Sequence, residues 1–248
     1  MAVIGIMDSG CGGLSVFREI RRALPDERFI YYADNAFCPY GDKEPGFITD
    51  RCRTITDLFI SKGAEAMVIA CNTATAAAIS TLRTEYKIPF IGMEPAVKPA
   101  ALGTKTGVIG VLATAGTLKA SKYLKTRGRF EDEVRIEERV GKGFVELVES
   151  GELDGPHAEE IVRASLQPLL DSGADTIVLG CTHYPFLIPL LQKIAGENIK
   201  FIDPAPAVTR QLLNVMKEKG IALTDPAPGI ELLSSGPDDA LKRIYALI

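Results

Sequence analysis

Two stretches of the sequence, Val68-Ile-Ala-Cys71-Asn-Thr73 and Val178-Leu-Gly-Cys181-Thr-His183, share one pattern. In each, an apolar run ends in a cysteine, and polar residues follow the thiol. Short, continuously apolar runs are typical of strands that are covered on both faces, as in parallel sheets. Each stretch therefore predicts a buried strand followed by a polar loop that carries a thiol.

A second pair of stretches repeats the same relation. Ile4-Gly-Ile-Met-Asp-Ser-Gly10 and Val108-Ile-Gly-Val-Leu-Ala-Thr-Ala-Gly116 both end in small or hydroxyl-bearing residues. The offset is about 105 residues for this pair and about 110 for the cysteine pair, and self-similarity at a nearly fixed offset indicates repeated structural units. Two similar halves, each ending one strand in a cysteine, are the simplest explanation.

Outside these stretches, short apolar runs alternate with longer amphipathic segments. The predicted strands are Val3–Met7, Phe29–Tyr32, Ala66–Ala70, Pro89–Gly92, Gly107–Leu112, Thr176–Leu179 and Lys200–Ile202. The predicted helices are Leu14–Leu24, Ile48–Lys62, Ala74–Glu85, Gly143–Glu149, Ala158–Ser172 and Phe186–Ile194. Alternation of this kind predicts a doubly wound α/β fold with central parallel sheets. Ligands of such folds bind beyond the carboxyl ends of the strands.

Prolines suggest where the halves divide. Pro95 and Pro99 interrupt the pattern near one boundary, and Pro204 and Pro206 mark another. We therefore expect a first α/β domain of residues 1–97 plus 207–248 that carries Cys71. A second domain, residues 98–206, would carry Cys181.

Composition excludes several classes of function. The chain has 248 residues and a net charge of −4, with no block of like charges, which argues against nucleic acid or a membrane surface as partner. No apolar stretch approaches the roughly 18–20 residues of a membrane span. The N-terminus lacks the basic region and cleavage site of a signal peptide, so we expect a cytoplasmic protein. Five cysteines without a Cys-x-x-Cys pair make a disulfide framework or zinc ribbon a poor interpretation.

The two strand-end cysteines have two interpretations. Backbone N–H groups and the positive end of a helix dipole would face each thiol, which favours an acid, base or nucleophile. Alternatively, free cysteine is often a small buried apolar residue. The presence of two equivalent cysteines in equivalent loops favours a catalytic role for the thiols over the packing role. Inversion at carbon needs a base on one face and an acid on the other, and one thiol from each half meets that need.

Other loops carry polar groups. Asp8-Ser9-Gly10-Cys11-Gly12-Gly13 lacks the spacing of a nucleotide-binding loop but suits a carboxylate. Pro39-Tyr40-Gly41 is a turn by composition and offers a hydroxyl. His183 lies two residues from Cys181, where it could move a proton. No cluster has metal-ligand spacing, and no lysine lies in these loops, so neither a metal nor a Schiff-base cofactor is indicated.

Together these residues resemble the glutamate racemases of the cofactor-independent aspartate/glutamate racemase superfamily. The resemblance rests on four motifs in the order Asp8-Ser9-Gly-x-Gly-Gly-Leu14-Ser15, Pro39-Tyr40-Gly41, Ala70-Cys71-Asn72-Thr73-Ala74 and Leu179-Gly-Cys181-Thr182-His183-Tyr-Pro185. It implies two α/β domains with the active site in the cleft between them. It also implies a two-base mechanism without a cofactor or metal, a homodimer, and a supply of D-glutamate for peptidoglycan.

The resemblance also assigns roles to residues. Cys71 would take the α-proton of D-glutamate and Cys181 that of L-glutamate. Asp8 and His183 would assist the thiols, with Asp34 and Glu149 as supporting carboxylates. The residues that would hold the substrate are Asp8, Ser9, Pro39, Tyr40, Gly41, Asn72, Thr73, Thr114, Thr117, Thr182 and His183.

The chain departs from the family pattern at Cys11, at Phe37-Cys38 and at Gly141-Lys-Gly143, which leaves the fit of the substrate and the role of Glu149 open. Three alternatives also remain. A sister racemase would act on aspartate or another small amino acid. A hydrolase would use only one Cys–His pair, and a partner-binding protein would bind glutamate without turnover.

Overall fold

The computed structural model describes residues 2–221 and 228–248, in which two parallel β-sheets are flanked by helices. In chain order the strands are β1 (Val3–Asp8), β2 (Arg28–Ala33), β3 (Ala66–Ile69), β4 (Phe90–Gly92), β5 (Val108–Ala113), β6 (Arg135–Val140), β7 (Thr176–Gly180), β8 (Lys200–Ile202) and β9 (Gly229–Ser234). The first sheet has the order β4-β3-β1-β2-β9, and the second has the order β6-β5-β7-β8. Every described strand pair is parallel.

Helices connect the strands, as parallel pairing requires. They are α1 (Leu14–Ala23), α2 (Pro45–Ser61), α3 (Asn72–Glu85), α4 (Val97–Gly103), α5 (Ala115–Lys119), α6 (Ser121–Arg127), α7 (Phe144–Ser150), α8 (Pro156–Asp171), α9 (Ile188–Ala195), α10 (Ala205–Lys219) and α11 (Asp239–Tyr245). The expected class, two doubly wound α/β units with central parallel sheets, is confirmed.

The internal repeat corresponds to the strand order. Strands β4-β3-β1-β2 of the first sheet match β8-β7-β5-β6 of the second, position for position. The two cysteine motifs thus follow equivalent strands, β3 and β7, each paired with the central strand β1 or β5. The weak repeat in the sequence therefore reflects two copies of one sheet topology.

Two strands were not among the predicted ones. Strand β6 has the sequence Arg-Ile-Glu-Glu-Arg-Val and lies at a sheet edge with only part of its surface buried. Strand β9 forms an edge of the first sheet, where it pairs with β2, so the last part of the chain joins the sheet that the first part forms. Edge strands bury one side only, and their apolar pattern is correspondingly weak.

The predicted helix Phe186–Ile194 is a 3₁₀ turn at Tyr184–Leu187 followed by α9. Pro185 and Pro189 explain the division, because a proline lacks the N–H that continues a helix and is best placed in a first turn.

The central strand β1 packs closely on α2 through Gly5. A methyl group on Gly5 would overlap the ring of Phe59, which is fully buried. Gly46, in the first turn of α2, faces open space instead. Gly46 is therefore a suitable control position for a substitution at Gly5.

We expect Gly5→Ala to lower the free energy of unfolding by about 1–3 kcal/mol, because an overpacked core must shift side chains or backbone. Gly46→Ala should be neutral or stabilising by up to about 1 kcal/mol, since alanine loses less backbone entropy in a helix. Urea unfolding of both variants measures the difference. Equal stabilities would contradict the tight packing of β1 on Phe59.

Candidate active site

A small cavity lies at the carboxyl ends of β1, β2, β3, β5 and β7, between the two sheets. Its walls are formed by Ser9, Pro39, Tyr40, Gly41, Cys71, Asn72, Thr73, Thr114, Val145, Gly180, Cys181, Thr182 and His183. Most of the predicted site residues therefore line one cavity, although they come from five separate loops. This is the position that an α/β fold offers to a ligand.

Cys71 enters the cavity from the end of β3. It caps α3, and the N–H of Ala74 donates to its sulfur over 3.4 Å. Burial, together with the nearby carboxylate of Asp8, raises the pKa of Cys71 to about 12. The thiol therefore holds its proton at neutral pH. The helix N-terminus offers its sulfur the positive potential that a thiolate needs.

Cys181 enters from the end of β7 and is accompanied by a histidine. Its sulfur lies 3.8 Å from Nδ1 of His183, and Nε2 of that ring lies 2.7 Å from Oε1 of Glu149. Burial opposes a charge on His183, but the cysteine sulfurs and Glu149 around the ring raise its pKa well above the ordinary value. Burial likewise opposes a charge on Glu149, yet the hydrogen bond from His183 lowers the pKa of that carboxyl. The pair is thus an imidazolium and a carboxylate.

Asp8 and Thr182 connect the two halves at the floor of the site. The hydroxyl of Thr182 donates to Oδ1 of Asp8 over 3.0 Å, and the hydroxyl of Ser15 donates to the carbonyl of Thr182 over 2.9 Å. The N–H of Gly10 donates to the other oxygen of Asp8. Burial raises the pKa of Asp8. This carboxyl is therefore held rigidly between the cysteine loops.

Three threonine hydroxyls form a cluster across the cleft. Thr73 lies 3.0 Å from Thr114 and 3.3 Å from Thr117, and Thr114 donates to Thr117 over 3.0 Å. Thr73 follows β3, whereas the other two begin the segment after β5. The cluster thus contains hydroxyls from both halves, and hydroxyls can donate to a carboxylate.

Asn72 contributes an amide without a protein partner. Its side chain is only 4% exposed, and both its Nδ2 and its Oδ1 are buried and lack a hydrogen bond. An unsatisfied buried polar group is costly and needs an explanation. Because Asn72 lines the cavity, a polar ligand in the cavity would supply the missing partners.

Asp34 and Tyr40 form a network at one side of the cavity. Asp34 accepts a bidentate pair from Arg51 at 2.8 and 2.9 Å and also accepts from the hydroxyl of Tyr40. Burial opposes the charge of Asp34, but the hydrogen bonds from Arg51 and Tyr40 lower its pKa. Asp34 thus holds Tyr40, which lines the cavity, and Arg51 is a supporting residue that the sequence motifs did not indicate.

Gly12 and Gly13 let the first loop approach the histidine and Asp8. A methyl group on Gly12 would overlap the His183 ring, and one on Gly13 would come too close to Asp8. The glycine loop therefore packs against side chains of the site, in addition to forming the turn that its composition predicts. No sequence spacing shows this contact, because Gly12 and His183 come from different halves.

The arrangement suits proton transfer to and from the two faces of one carbon. Two thiols line the same cavity from equivalent strands, and each has a titratable neighbour, Asp8 beside Cys71 and His183 beside Cys181. Preorganised hydroxyl and amide groups in a closed site can stabilise charge that develops on a substrate.

Among the described residues, no helix combines the length and apolar character needed to cross a bilayer.

Comparisons with known proteins show which family the chain is similar to. Residues 4–212 match the family model described as Asp/Glu/Hydantoin racemase. The chain is 46% identical to a glutamate racemase of Ectopseudomonas mendocina, over 100% of this chain and 94% of that protein.

Solved structures give the same result. Glutamate racemase isoform RacE1 from Bacillus anthracis has a TM-score of 0.88 at 32% identity, covering 99% of this chain and 93% of the other. Escherichia coli glutamate racemase, solved with L-glutamate and the activator UDP-MurNAc-ala, has a TM-score of 0.87 at 33% identity, covering 99% of this chain and 94% of the other. By its sequence and its fold, the chain belongs to the Asp/Glu/hydantoin racemase family.

Proposed function

We propose that the chain is a glutamate racemase that interconverts L- and D-glutamate by proton transfer between two cysteines, without a cofactor. The observation that carries the proposal is the convergence of Cys71 and Cys181, from equivalent strands of two matching sheets, on one polar cavity. Relatives named glutamate racemase at 46% identity support glutamate over aspartate as the substrate.

In the proposed reaction one cysteine removes the α-proton and the other returns a proton to the opposite face. With D-glutamate, Cys71 is the base and Cys181 the acid, and with L-glutamate the roles are exchanged. Each turnover therefore leaves the enzyme in the protonation state that the reverse reaction needs. In the L-to-D direction, Cys71 donates its proton, which agrees with its raised pKa.

The side groups have separate tasks in this proposal. His183, held by Glu149, keeps a proton within reach of the Cys181 sulfur. Asp8 has the corresponding role of keeping a proton within reach of the Cys71 sulfur. The remaining polar residues hold the carboxylates and the ammonium of the substrate, and they are Ser9, Pro39, Tyr40, Gly41, Asn72, Thr73, Thr114, Thr117 and Thr182. A thiolate is a weak base for an α-proton, so these donors must stabilise the developing carbanion.

We also propose that residues 1–97 plus 207–248 form one domain and that residues 98–206 form the other. Pairing of β9 with β2, and packing of α10 against α1, support a return of the chain to its first half. A homodimer in the cytoplasm that supplies D-glutamate for peptidoglycan follows from the family resemblance. Sedimentation of the purified chain as a monomer at enzymatic concentration would contradict the dimer.

Incubation of the purified chain with L-glutamate in D₂O tests the function. We expect the circular dichroism of the glutamate to decay to zero while deuterium enters the α-carbon, because each inversion exchanges the α-proton. L-aspartate in a parallel reaction tests the sister activity. Optical activity that persists with folded enzyme would refute the assignment to glutamate.

Single cysteine variants test the two-base assignment. Cys71→Ser and Cys181→Ser should each lower racemisation by about 10²–10⁴-fold, the usual contribution of a positioned acid or base. Exchange of the α-proton without inversion should persist for L-glutamate in Cys71→Ser and for D-glutamate in Cys181→Ser. Cys52→Ala, which removes a buried thiol packed in the apolar core beneath β1, should leave racemisation unchanged. Full activity of either serine variant would indicate a one-cysteine reaction.

The variant Glu149→Gln tests whether Glu149 keeps the His183 ring protonated. Because Glu149 helps to raise the pKa of His183, the neutral amide should lower that pKa, so the imidazolium loses its proton at lower pH. The alkaline limb of the pH–rate profile should move in the same direction. NMR titration of the two histidine rings measures the shift directly.

Glu152→Gln is the matched control, since Glu152 contacts the exposed His157 at 3.0 Å. It should leave the titration of His183 and the rate unchanged. A His183 ring that titrates alike in the wild type and in Glu149→Gln would show that Glu149 does not control its charge.

A further inference from the structure

On the histidine side of the cavity, two thiols other than the catalytic pair, those of Cys11 and Cys38, lie beside His183. Cys11, Glu149 and His183 each offer a ligand atom, and these atoms all lie within 4.8 Å of one another. They form the group of potential metal ligands found within residues 2–221 and 228–248. The three residues are far apart in the sequence, which explains why ligand spacing gave no sign of them.

Cys38 adds a fourth potential ligand. Its sulfur lies 3.8 Å from Oε1 of Glu149 and packs against Gly10, the residue before Cys11. In a tetrahedral site with ligand bonds of about 2.0–2.3 Å, neighbouring ligand atoms are separated by about 3.3–3.8 Å from simple geometry. Cys11, Glu149 and His183 offer three ligand atoms within 4.8 Å of one another, and a shift of the partly buried Cys38 side chain would complete a site with four ligands.

The chemistry of the four ligands selects the ion. Two thiols, an imidazole and a carboxylate are the ligand types that Zn²⁺ takes in proteins, whereas Mg²⁺ and Ca²⁺ require mostly oxygen. The buried carboxyl of Asp8 lies close enough to Cys38 and His183 to interact with their charges, and in its ionised form it would favour a cation there. An entry path also exists, because Glu149 and Cys38 are only partly buried, while Cys11 and His183 are closed to solvent.

We propose that Cys11, Cys38, Glu149 and His183 form an inhibitory binding site for Zn²⁺ beside the catalytic cavity. Binding would release a proton from each thiol and from the imidazolium, because thiolates and neutral imidazole are the ligands. His183 would then be a neutral metal ligand and could no longer act as an imidazolium acid beside Cys181. The effect on catalysis rests on the proposed racemase function, whereas the binding of zinc does not.

Calorimetric titration of ZnCl₂ into the full chain tests the site directly. The titrated protein carries Cys71→Ser and Cys181→Ser, so that the catalytic thiols cannot bind the metal. We expect one zinc ion per chain, with the dissociation constant raised at least about 10-fold when either Cys11→Ala or Cys38→Ala is added, as for loss of a group that a metal site needs. Cys52→Ala, added to the same protein as a matched control, should leave the constant unchanged.

Cobalt spectra test whether the two thiols bind the metal, and activity measurements test whether zinc inhibits racemisation. Co²⁺ in the same protein should give a thiolate charge-transfer absorption that Cys11→Ala and Cys38→Ala each weaken. In the chain with both catalytic cysteines, zinc should inhibit racemisation reversibly, and a chelator should restore it. Cys11→Ala should require at least 10-fold more zinc for half inhibition.

Two results would overturn the site. One is loss of zinc binding when Cys71 and Cys181 are replaced, which would assign the metal to the catalytic thiols. The other is a dissociation constant that neither Cys11→Ala nor Cys38→Ala changes. Absence of racemisation together with intact zinc binding would refute the proposed function and leave the metal site standing.

Discussion

The buried hydrogen bond from Thr182 to Asp8 joins the end of β7 to the end of β1, and the geometry of the site depends on it. Ser15 reinforces the same junction through the carbonyl of Thr182. Both bonds are closed to water, so breaking them would leave polar groups unsatisfied at a cost of about 1–3 kcal/mol each. The junction thereby holds the loops of Cys71 and Cys181 against one cavity, and it gives two separately wound sheets a common site.

The same junction explains how charge is distributed across the site. Asp8 is deep and receives neutral donors, whereas Glu149 is nearer solvent and meets an imidazolium. One half of the cavity thus offers a carboxyl with a raised pKa, and the other offers a cation paired with a carboxylate. The two thiols are equivalent in topology but not in electrostatics, because the loops that surround them differ although the strands that carry them match.

The sequence was most informative where function depends on a strand end. Cys71 and Cys181 follow continuously apolar strands, so their place at the carboxyl edge of a sheet could be predicted from local pattern alone. Glu149 was assigned only through the family resemblance, and Arg51 was not indicated at all, because both act through contacts between distant segments that no local pattern encodes. Cys11 and Cys38 look like packing residues in their own loops, and only the fold brings them to His183. Strand β6 escaped prediction because four of its six residues are charged.

The order of the first sheet has a consequence for synthesis on the ribosome. Strand β9, which covers the edge of β2, is translated only after the whole second sheet, whose strands are contiguous between residues 108 and 202. During translation, β2 therefore presents an unpaired edge with buried-type residues such as Phe29, Ile30 and Tyr31. Exposed strand edges invite pairing with other chains. The nascent chain thus completes the sheet that carries Cys181 first, and the sheet that carries Cys71 keeps an unpaired edge until β9 has been synthesised.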